Sequence, residues 1–322
     1  MKISIIIVTY NRPGDLNDCL NSILIQSCPP YEVIIIDNST NKETKKLAEK
    51  KKGEFIKNNI LLKYVRNEKE NSLTVARNIG VRNATGKIIC FLDDDIVLDE
   101  NYLEEIKKTY NNHPDVLGVH GYIAQEKPAK IRNFLYKNFF LYHLEENRCR
   151  VLPSTCVVYP LEPKGIISCQ WLPGASTYRK GIFQEFSFDE NLKKYSDGED
   201  LEFSYQVFKK YPNSLFITPY ARLIHKASPA GRTIGKELIS MREVYSLYLF
   251  YKLIPQTIKN KIIYLWSRIG KIILNIISSI FKLSLSGIIE NFYLVEAYIY
   301  CLRHQKEIKK AKLEFFNNTL RK

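Results

Sequence analysis

The chain has 322 residues, 45% of them hydrophobic, enough to bury the core of one large domain with an appendage or of two modest domains, which excludes a disordered protein. Its formal charge of +14, from 48 Lys and Arg against 34 Asp and Glu, calls for an anionic partner; composition leaves nucleic acid, a phosphorylated substrate and an acidic membrane surface open. Seven cysteines, odd in number and without a C-x-x-C pair, indicate neither a disulfide framework nor a zinc site and fit a reducing cytosol.

Residues 1–8 carry one charge and a short apolar run that passes into Thr9-Tyr10-Asn11-Arg12 without a small-residue cleavage site, so they read as a buried strand and not as a signal peptide. Apolar runs recur at 3–8, 33–36, 61–65 and 88–92, each followed by a polar loop and a stretch compatible with a helix. Runs apolar on both faces predict strands covered on both sides, and their alternation with helices predicts an open α/β fold with a mainly parallel sheet. A helix is expected over 71–86, with Ala76, Ile79, Gly80 and Ala84 near one face, and another over 100–110. From about 116 to 224 the pattern is irregular, as mixed strands and loops would be. A change in pattern near residue 235 divides the chain into an α/β domain, 1–235, and a helical region, 236–322, which holds 15 of the Lys/Arg and 6 of the Asp/Glu. There Ile262, Trp266, Ile269, Ile273, Ile276 and Ile280 follow helical spacing, with Arg268, Lys271, Asn275, Ser278 and Lys282 on another face. The longest charge-free run, 272–281, is too short to span a bilayer, so a helix lying in the membrane interface is expected; the alternative is a helix packed on protein.

In open α/β sheets ligands collect at the carboxyl ends of the strands. The distinctive polar residues stand there: Thr9-Tyr10-Asn11-Arg12, Asp37-Asn38-Ser39 and Asp93-Asp94-Asp95. Three adjacent carboxylates repel one another, and a divalent cation is the simplest compensation. Mg²⁺ or Mn²⁺ takes carboxylate and phosphate oxygens, so this site is expected to hold a nucleotide's diphosphate and neutralise charge on a leaving group. Asp37 can accept from a base imide or a ribose hydroxyl, and Thr9 and Asn11 offer short polar groups beside it. The plainer alternatives are an acidic turn capping a helix for the triplet, and a turn and N-cap for Asp37-Asn38-Ser39-Thr40.

The strings Ser4-Ile5-Ile6-Ile7-Val8-Thr9-Tyr10-Asn11-Arg12, Val33-Ile34-Ile35-Ile36-Asp37-Asn38-Ser39, Ala76-Arg77-Asn78-Ile79-Gly80 and Phe91-Leu92-Asp93-Asp94-Asp95 resemble, in order and spacing, the family 2 glycosyltransferases of the GT-A fold. The resemblance covers roughly 2–235. It implies inverting transfer of a sugar from a nucleotide-diphosphate sugar to an acceptor hydroxyl. It also implies that Asp93 and Asp95 form the D-x-D pair, with Asp95 the direct metal ligand, and that Thr9 and Asp37 hold the donor nucleotide. Tyr10, Asn11, Asp94 and Trp171 complete the expected donor-binding set, and Arg77 is expected near the donor. One departure is that Asn71-Ser72-Leu73-Thr74-Val75 lacks the glycines common there.

Trp171-Leu172-Pro173-Gly174-Ala175 and Ser196-Asp197-Gly198-Glu199-Asp200-Leu201-Glu202 look like the acceptor half of the same family, whose Glu-Asp pair supplies the base. Displacement at the anomeric carbon needs a carboxylate within reach of the acceptor hydroxyl; Asp200 is the expected base, with Glu199 second. His225 resembles a histidine that some members place near the metal or diphosphate, the alternative being a histidine that is merely hydrogen-bonded. Lys226, Ser228, Gly231, Arg232 and Thr233 form a loop expected to close over the diphosphate and exclude water.

The basic helical tail would bring such an enzyme, as a peripheral protein, to the cytoplasmic face of the membrane. Saccharide or lipid-linked saccharide acceptors of cell-surface polysaccharide or glycolipid synthesis are expected there. A sugar nucleotidyltransferase would want a glycine-rich, arginine-containing phosphate loop after the first strand, where Thr9-Tyr10-Asn11-Arg12-Pro13 stands instead. A non-enzymatic basic protein binding membrane or nucleic acid would explain the charge but leave the acidic clusters without a purpose, so no nucleic-acid partner is expected.

Overall fold

The β-branched run near the start of the chain is extended, as its restricted side-chain rotamers favour. In this computed structural model, which describes residues 1–194, 197–229, 233–281 and 283–319, the chain begins with strands and helices in alternation. These are β1 (Ile3–Thr9), α1 (Pro13–Leu24), β2 (Glu32–Asp37), α2 (Glu43–Lys57), β3 (Leu61–Arg66), α3 (Leu73–Asn83) and β4 (Ile88–Asp93). β3, β2, β1 and β4 pair in parallel in that order. Next come β5 (Ile96–Leu98), α4 (Tyr102–Asn112), β6 (Gly118–Ile123), α5 (Lys130–Asn138), β7 (His143–Glu146), β8 (Arg150–Val151) and β9 (Val157–Leu161). β10 (Ile167–Ser168), β11 (Ser176–Arg179), α6 (Glu199–Lys210) and β12 (Leu215–His225) follow. Beyond β4 the sheet continues through antiparallel β11 to β6, β12 and β10, with β5 on β12, nine strands among the described residues.

The sheet and its helices belong to one compact unit, Met1–Gln125, Glu162–Tyr195 and Glu199–Arg232. Its core cluster is mostly aliphatic, with Phe55, Tyr102 and Tyr110 among it, and buries side chains of β1, β2 and β4 against α1 and α4; Phe91, Tyr178, Phe188 and Phe203 make an aromatic cluster. This is the expected α/β sheet, with three differences. β3 is an edge strand, and its first residue, Leu61, is exposed, so the run at 61–65 is not covered on both faces. The helix expected over 71–86 is confined to α3, because Ser72 pairs with Lys194 in a short bridge and Leu73 N–H donates to Lys194 O, which holds the preceding backbone extended. The helix expected over 100–110 is shifted two residues on as α4, and it stops short of Pro114, before which a helix is disfavoured.

A second unit comprises Glu126–Leu161, Ser196–Gly198 and Thr233–Lys322. It holds the small sheet of β7, β9 and β8 and the helices α7 (Gly235–Leu253), α8 (Ile258–Phe281), α9 (Leu285–Arg303), α10 (Gln305–Lys309) and α11 (Glu314–Asn317). On α8 the predicted apolar stripe is present and points outward: Ile262, Trp266, Ile269, Ile273, Ile276 and Ile280 are 39% to 64% exposed. Arg268 turns inward to Glu243 of α7 at 2.9 Å, and Lys271 reaches the same carboxylate. Lys282 lies outside the described residues. Among the described residues α8 alone is long and apolar enough, by length and composition, to cross a membrane.

Candidate active site

Strand register builds the rim of the site. Thr9 lies opposite Asp37 in the β1–β2 ladder and Val8 opposite Asp93 in the β1–β4 ladder, so three parallel strands end together. Thr9 Oγ1 donates to Asp94 Oδ2 at 2.8 Å, and Arg12 Nη1 donates to Asp94 Oδ1 at 3.0 Å and lies 3.6 Å from Asp95 Oδ2. Burial pushes the Asp94 carboxyl up to about 6, against the pull of Arg12 and Thr9. Asp95 is 1% exposed. Its burial would raise its pKa too, but the His225 imidazole at 3.2 Å and the Ser228 N–H at 3.0 Å outweigh that and hold it at about 2. Asp93, about a third exposed, meets Arg77 Nη2 at 3.3 Å.

The protein's own Arg12 and Arg77 therefore compensate much of the acidic triplet, with His225 against Asp95, and repulsion alone does not require a metal. The donor chemistry is the stronger argument: an oxygen of Asp93, an oxygen of Asp95 and a ring nitrogen of His225 lie within 4.8 Å of one another. Two carboxylates and an imidazole suit Mn²⁺ well and Mg²⁺ acceptably. Asp94, turned to Thr9 and Arg12, is not in that group.

Asp37 is fully buried. Its oxygens accept from Ser39 N–H at 2.8 Å, the Tyr64 hydroxyl at 2.7 Å and Arg66 at 3.1 Å. Asn11 has φ +55°, a left-handed conformation that asparagine tolerates better than most residues. Its N–H donates to Ser39 Oγ and its side-chain oxygen accepts from Thr40 N–H, which locks the loop after β1 to the loop after β2. Tyr10 beside it is half-buried.

Arg77 is placed by α3, which the loop before α6 holds: Thr74 donates to Leu192 O, and Asn78 exchanges two hydrogen bonds with the Phe188 backbone. The guanidinium, 2% exposed, lies 5.7 Å from the Phe91 ring centre and 5.3 Å from that of Phe188, and meets Glu199 Oε1 at 3.0 Å. A Cβ on Gly174 would sit 3.0 Å from Arg77 Nη2, so glycine lets the segment before β11 approach it. Glu199 is buried, and burial together with the Asp200 charge pushes its pKa up against the pull of Arg77. Asp200 is half-buried and accepts from Leu201 N–H in the first turn of α6. Trp171 is buried between β10 and β11, next to Leu172, whose N–H donates to Ser204 of α6. Gly231 and Arg232 of the expected closing loop lie outside the described residues. Arg12 had no expected role; the signal for it was a cation just past β1, beside the strand that ends in three carboxylates.

Residues 4–162, about half of the chain, match the family described as Glycosyl transferase family 2. The chain belongs to that family. An uncharacterized glycosyltransferase of Bacillus subtilis (strain 168), YwdF, is 26% identical over 76% of this chain and 81% of its own length. The glucosyl-dolichyl phosphate glucuronosyltransferase of Haloferax volcanii is 24% identical over 44% of each chain. Among solved structures, GalNAc-T7 with UDP, GalNAc and Mn²⁺ superposes with a TM-score of 0.55 at 18% identity, over 84% of this chain and 55% of that one. S. aureus TarS 1-349 with UDP gives 0.51 at 19% identity, over 82% and 70%. The chain thus spans under half of one family relative and just over half of GalNAc-T7. These likenesses confirm the GT-A fold expected for the family, and the protein is a glycosyltransferase.

Proposed function

We propose that this glycosyltransferase moves a sugar, with inversion, from a nucleoside-diphosphate sugar to an acceptor hydroxyl, and that it needs a divalent metal to do so. The observation that carries this reading is Arg77, whose single guanidinium touches Glu199 at the start of α6 and Asp93 at the end of β4. The acidic pair and the D-x-D stretch therefore share one site.

Asp200 takes the acceptor's proton as the new bond to carbon forms. It is the more accessible of the pair, while Glu199 is buried on Arg77 and is second choice. Asp93, Asp95 and His225 would hold Mn²⁺ or Mg²⁺, which supplies electrostatic stabilisation of the departing diphosphate. Thr9 and Arg12 hold Asp94, and Arg77 holds Asp93. A carboxylate offers about four acceptor positions; Asp37 uses three on Ser39, Tyr64 and Arg66, which leaves one for the nucleotide. Tyr10, Asn11 and Trp171 complete the donor side. Residues 1–235, apart from 126–161 and 196–198, which cluster with the second unit, act as the catalytic domain, and 236–322 as a basic region that meets the cytoplasmic membrane face, where a saccharide or lipid-linked saccharide accepts the sugar. Support for the membrane contact is the apolar surface: 18 of the 29 exposed large apolar side chains among the described residues fall within 258–302.

The test is binding and turnover with a panel of nucleotide sugars, UDP-sugars first, with and without Mn²⁺ or Mg²⁺. Metal-dependent donor hydrolysis or transfer is expected, with donor binding impaired in Asp95→Ala and turnover but not binding lost in Asp200→Ala. Turnover unaffected by chelator, or retained in Asp200→Ala, would sink the corresponding part.

A further inference from the structure

A groove among α7, α8, α9 and α10 of the second unit plays no part in the reaction argued above. Its volume is about 690 Å³, within the range of pockets that take small organic ligands. Leu247 and Phe250 of α7 and Cys301 of α9, all buried, line its depth. Along α8 it is lined by Lys261, Leu265, Ile269 and Ile272, which recur at helical spacing and make one stripe roughly 16 Å long. Leu265, Ile269 and Leu302 are also exposed apolar residues, so the groove opens onto the apolar surface of α8 and α9.

One end of the groove is basic. α8 and α9 pack antiparallel, Gly287 of α9 close to Ser279 of α8 and the Tyr298 hydroxyl donating to Arg268 O, so the first turn of α8 lies toward the last turn of α9, which α10 follows. Lys261, Lys306 and Lys309 line the groove there and are exposed. Among the described residues, neither Lys261 nor Lys306 forms an ion pair. The charged groups at the floor, Arg268 and Glu243, are already joined to each other. An apolar trough with an uncompensated basic end matches a molecule with an apolar chain and an anionic head. A second copy of this +14 chain would bring the same sign to that end.

We propose that the groove holds a single anionic membrane lipid, its chain along Leu265, Ile269 and Ile272 and its phosphate at Lys261, Lys306 and Lys309. This deepens the membrane reading given above, and the two fail separately. The probe is a long-chain alkyl phosphate below its micelle concentration, added to the full chain, with native mass spectrometry for stoichiometry and thermal denaturation for stabilisation. One molecule per chain and a raised melting temperature are expected. Glycerol phosphate and a neutral alkyl glycoside should bind at least about tenfold more weakly. The double variant Lys261→Glu with Lys306→Glu should weaken alkyl phosphate binding to a similar degree with sugar transfer to a soluble acceptor unchanged, and Leu302→Trp should weaken it by filling the mouth without altering charge. Equal binding of the neutral glycoside, undiminished binding by the charge-reversed chain, or a dimer that excludes the probe would overturn the assignment. So would a chain that sediments with anionic vesicles yet binds no alkyl phosphate, which leaves membrane contact standing alone. Probe binding without vesicle sedimentation supports the groove lipid and removes the membrane reading.

Discussion

Arg77 directs one nitrogen to Glu199 at 3.0 Å and the other to Asp93 at 3.3 Å from a position with almost no exposure. A planar fork can hold two carboxylates at a fixed separation, whereas an ammonium on a flexible stem holds them as a point charge. Arg77→Lys is therefore expected to keep most of the folding stability while misplacing one carboxylate, and turnover should fall about hundredfold with a smaller change in donor KM. Arg77→Met, which leaves the buried Glu199 without its cation, should in addition cost about 3 kcal/mol in denaturant melts. Wild-type turnover in the Lys variant would mean that the shared arginine is structural only. The sequence displays the acidic triplet because its members are adjacent in the chain, and strand ends identify where they sit. The compensation by Arg12 and Arg77 is invisible there, since it depends on β1 lying beside β4 and on α3 being tied to the loop before α6. Charge repulsion alone did not decide for a metal for that reason, while the closeness of Asp93, Asp95 and His225, which does suggest a divalent ion, could come only from the fold.

At the scale of elements, the end of the sheet away from the site is held by one carboxylate. Glu32 of β2 accepts from Ser4 of β1 at 2.6 Å and from the Thr85 N–H and hydroxyl just before β4, and pairs with Lys63 of β3 at 2.6 Å. Burial alone would raise its pKa, but Lys63, Ser4 and Thr85 together hold it at about 2 against an ordinary 4.5. Because the folded value is depressed, the contribution is complete above pH 4.5 and disappears as the pH falls toward 2, about 3 kcal/mol by linkage. Glu32→Gln should lose stability of that order at neutral pH and show a flatter stability profile between those two pH values, read by urea melts across the range. A second element-level constraint is the approach of α3 to β1: a Cβ on Gly80 would stand 2.4 Å from Ile6 Cγ2. Gly80→Ala gains about 1 kcal/mol of helix preference, but overpacking of about 1–3 kcal/mol should outweigh it and lower the melting temperature. Most element identities were legible from the apolar runs and their spacing. Edge position was not, because Leu61-Leu62-Lys63-Tyr64-Val65 reads as a strand without saying that only β2 flanks it.

Over the whole molecule, charge and apolar surface concentrate in the same region, and their combination decides which face of α8 meets the outside. Helical spacing gives a stripe but not its direction; a stripe of isoleucine normally faces a core. Here Glu243 of α7 draws Arg268 and Lys271 inward, and the isoleucines are left exposed along 24 residues of helix. If that surface rests in a membrane interface, replacing Ile276 and Ile280 by Asp removes two buried aliphatic groups and adds two charges that an anionic leaflet repels. Each isoleucine is worth about 2 kcal/mol when fully buried, so sedimentation with anionic vesicles should weaken by on the order of a hundredfold or more. Both positions are exposed, so the fold and turnover on a soluble acceptor should survive. Added salt should weaken vesicle binding of the unaltered chain through its basic groups without abolishing it, because salt screens charge and leaves burial of apolar surface intact. Vesicle binding insensitive to the double substitution, or lost entirely at high salt, would make the contact purely electrostatic; the exposed isoleucines would then need a protein partner instead.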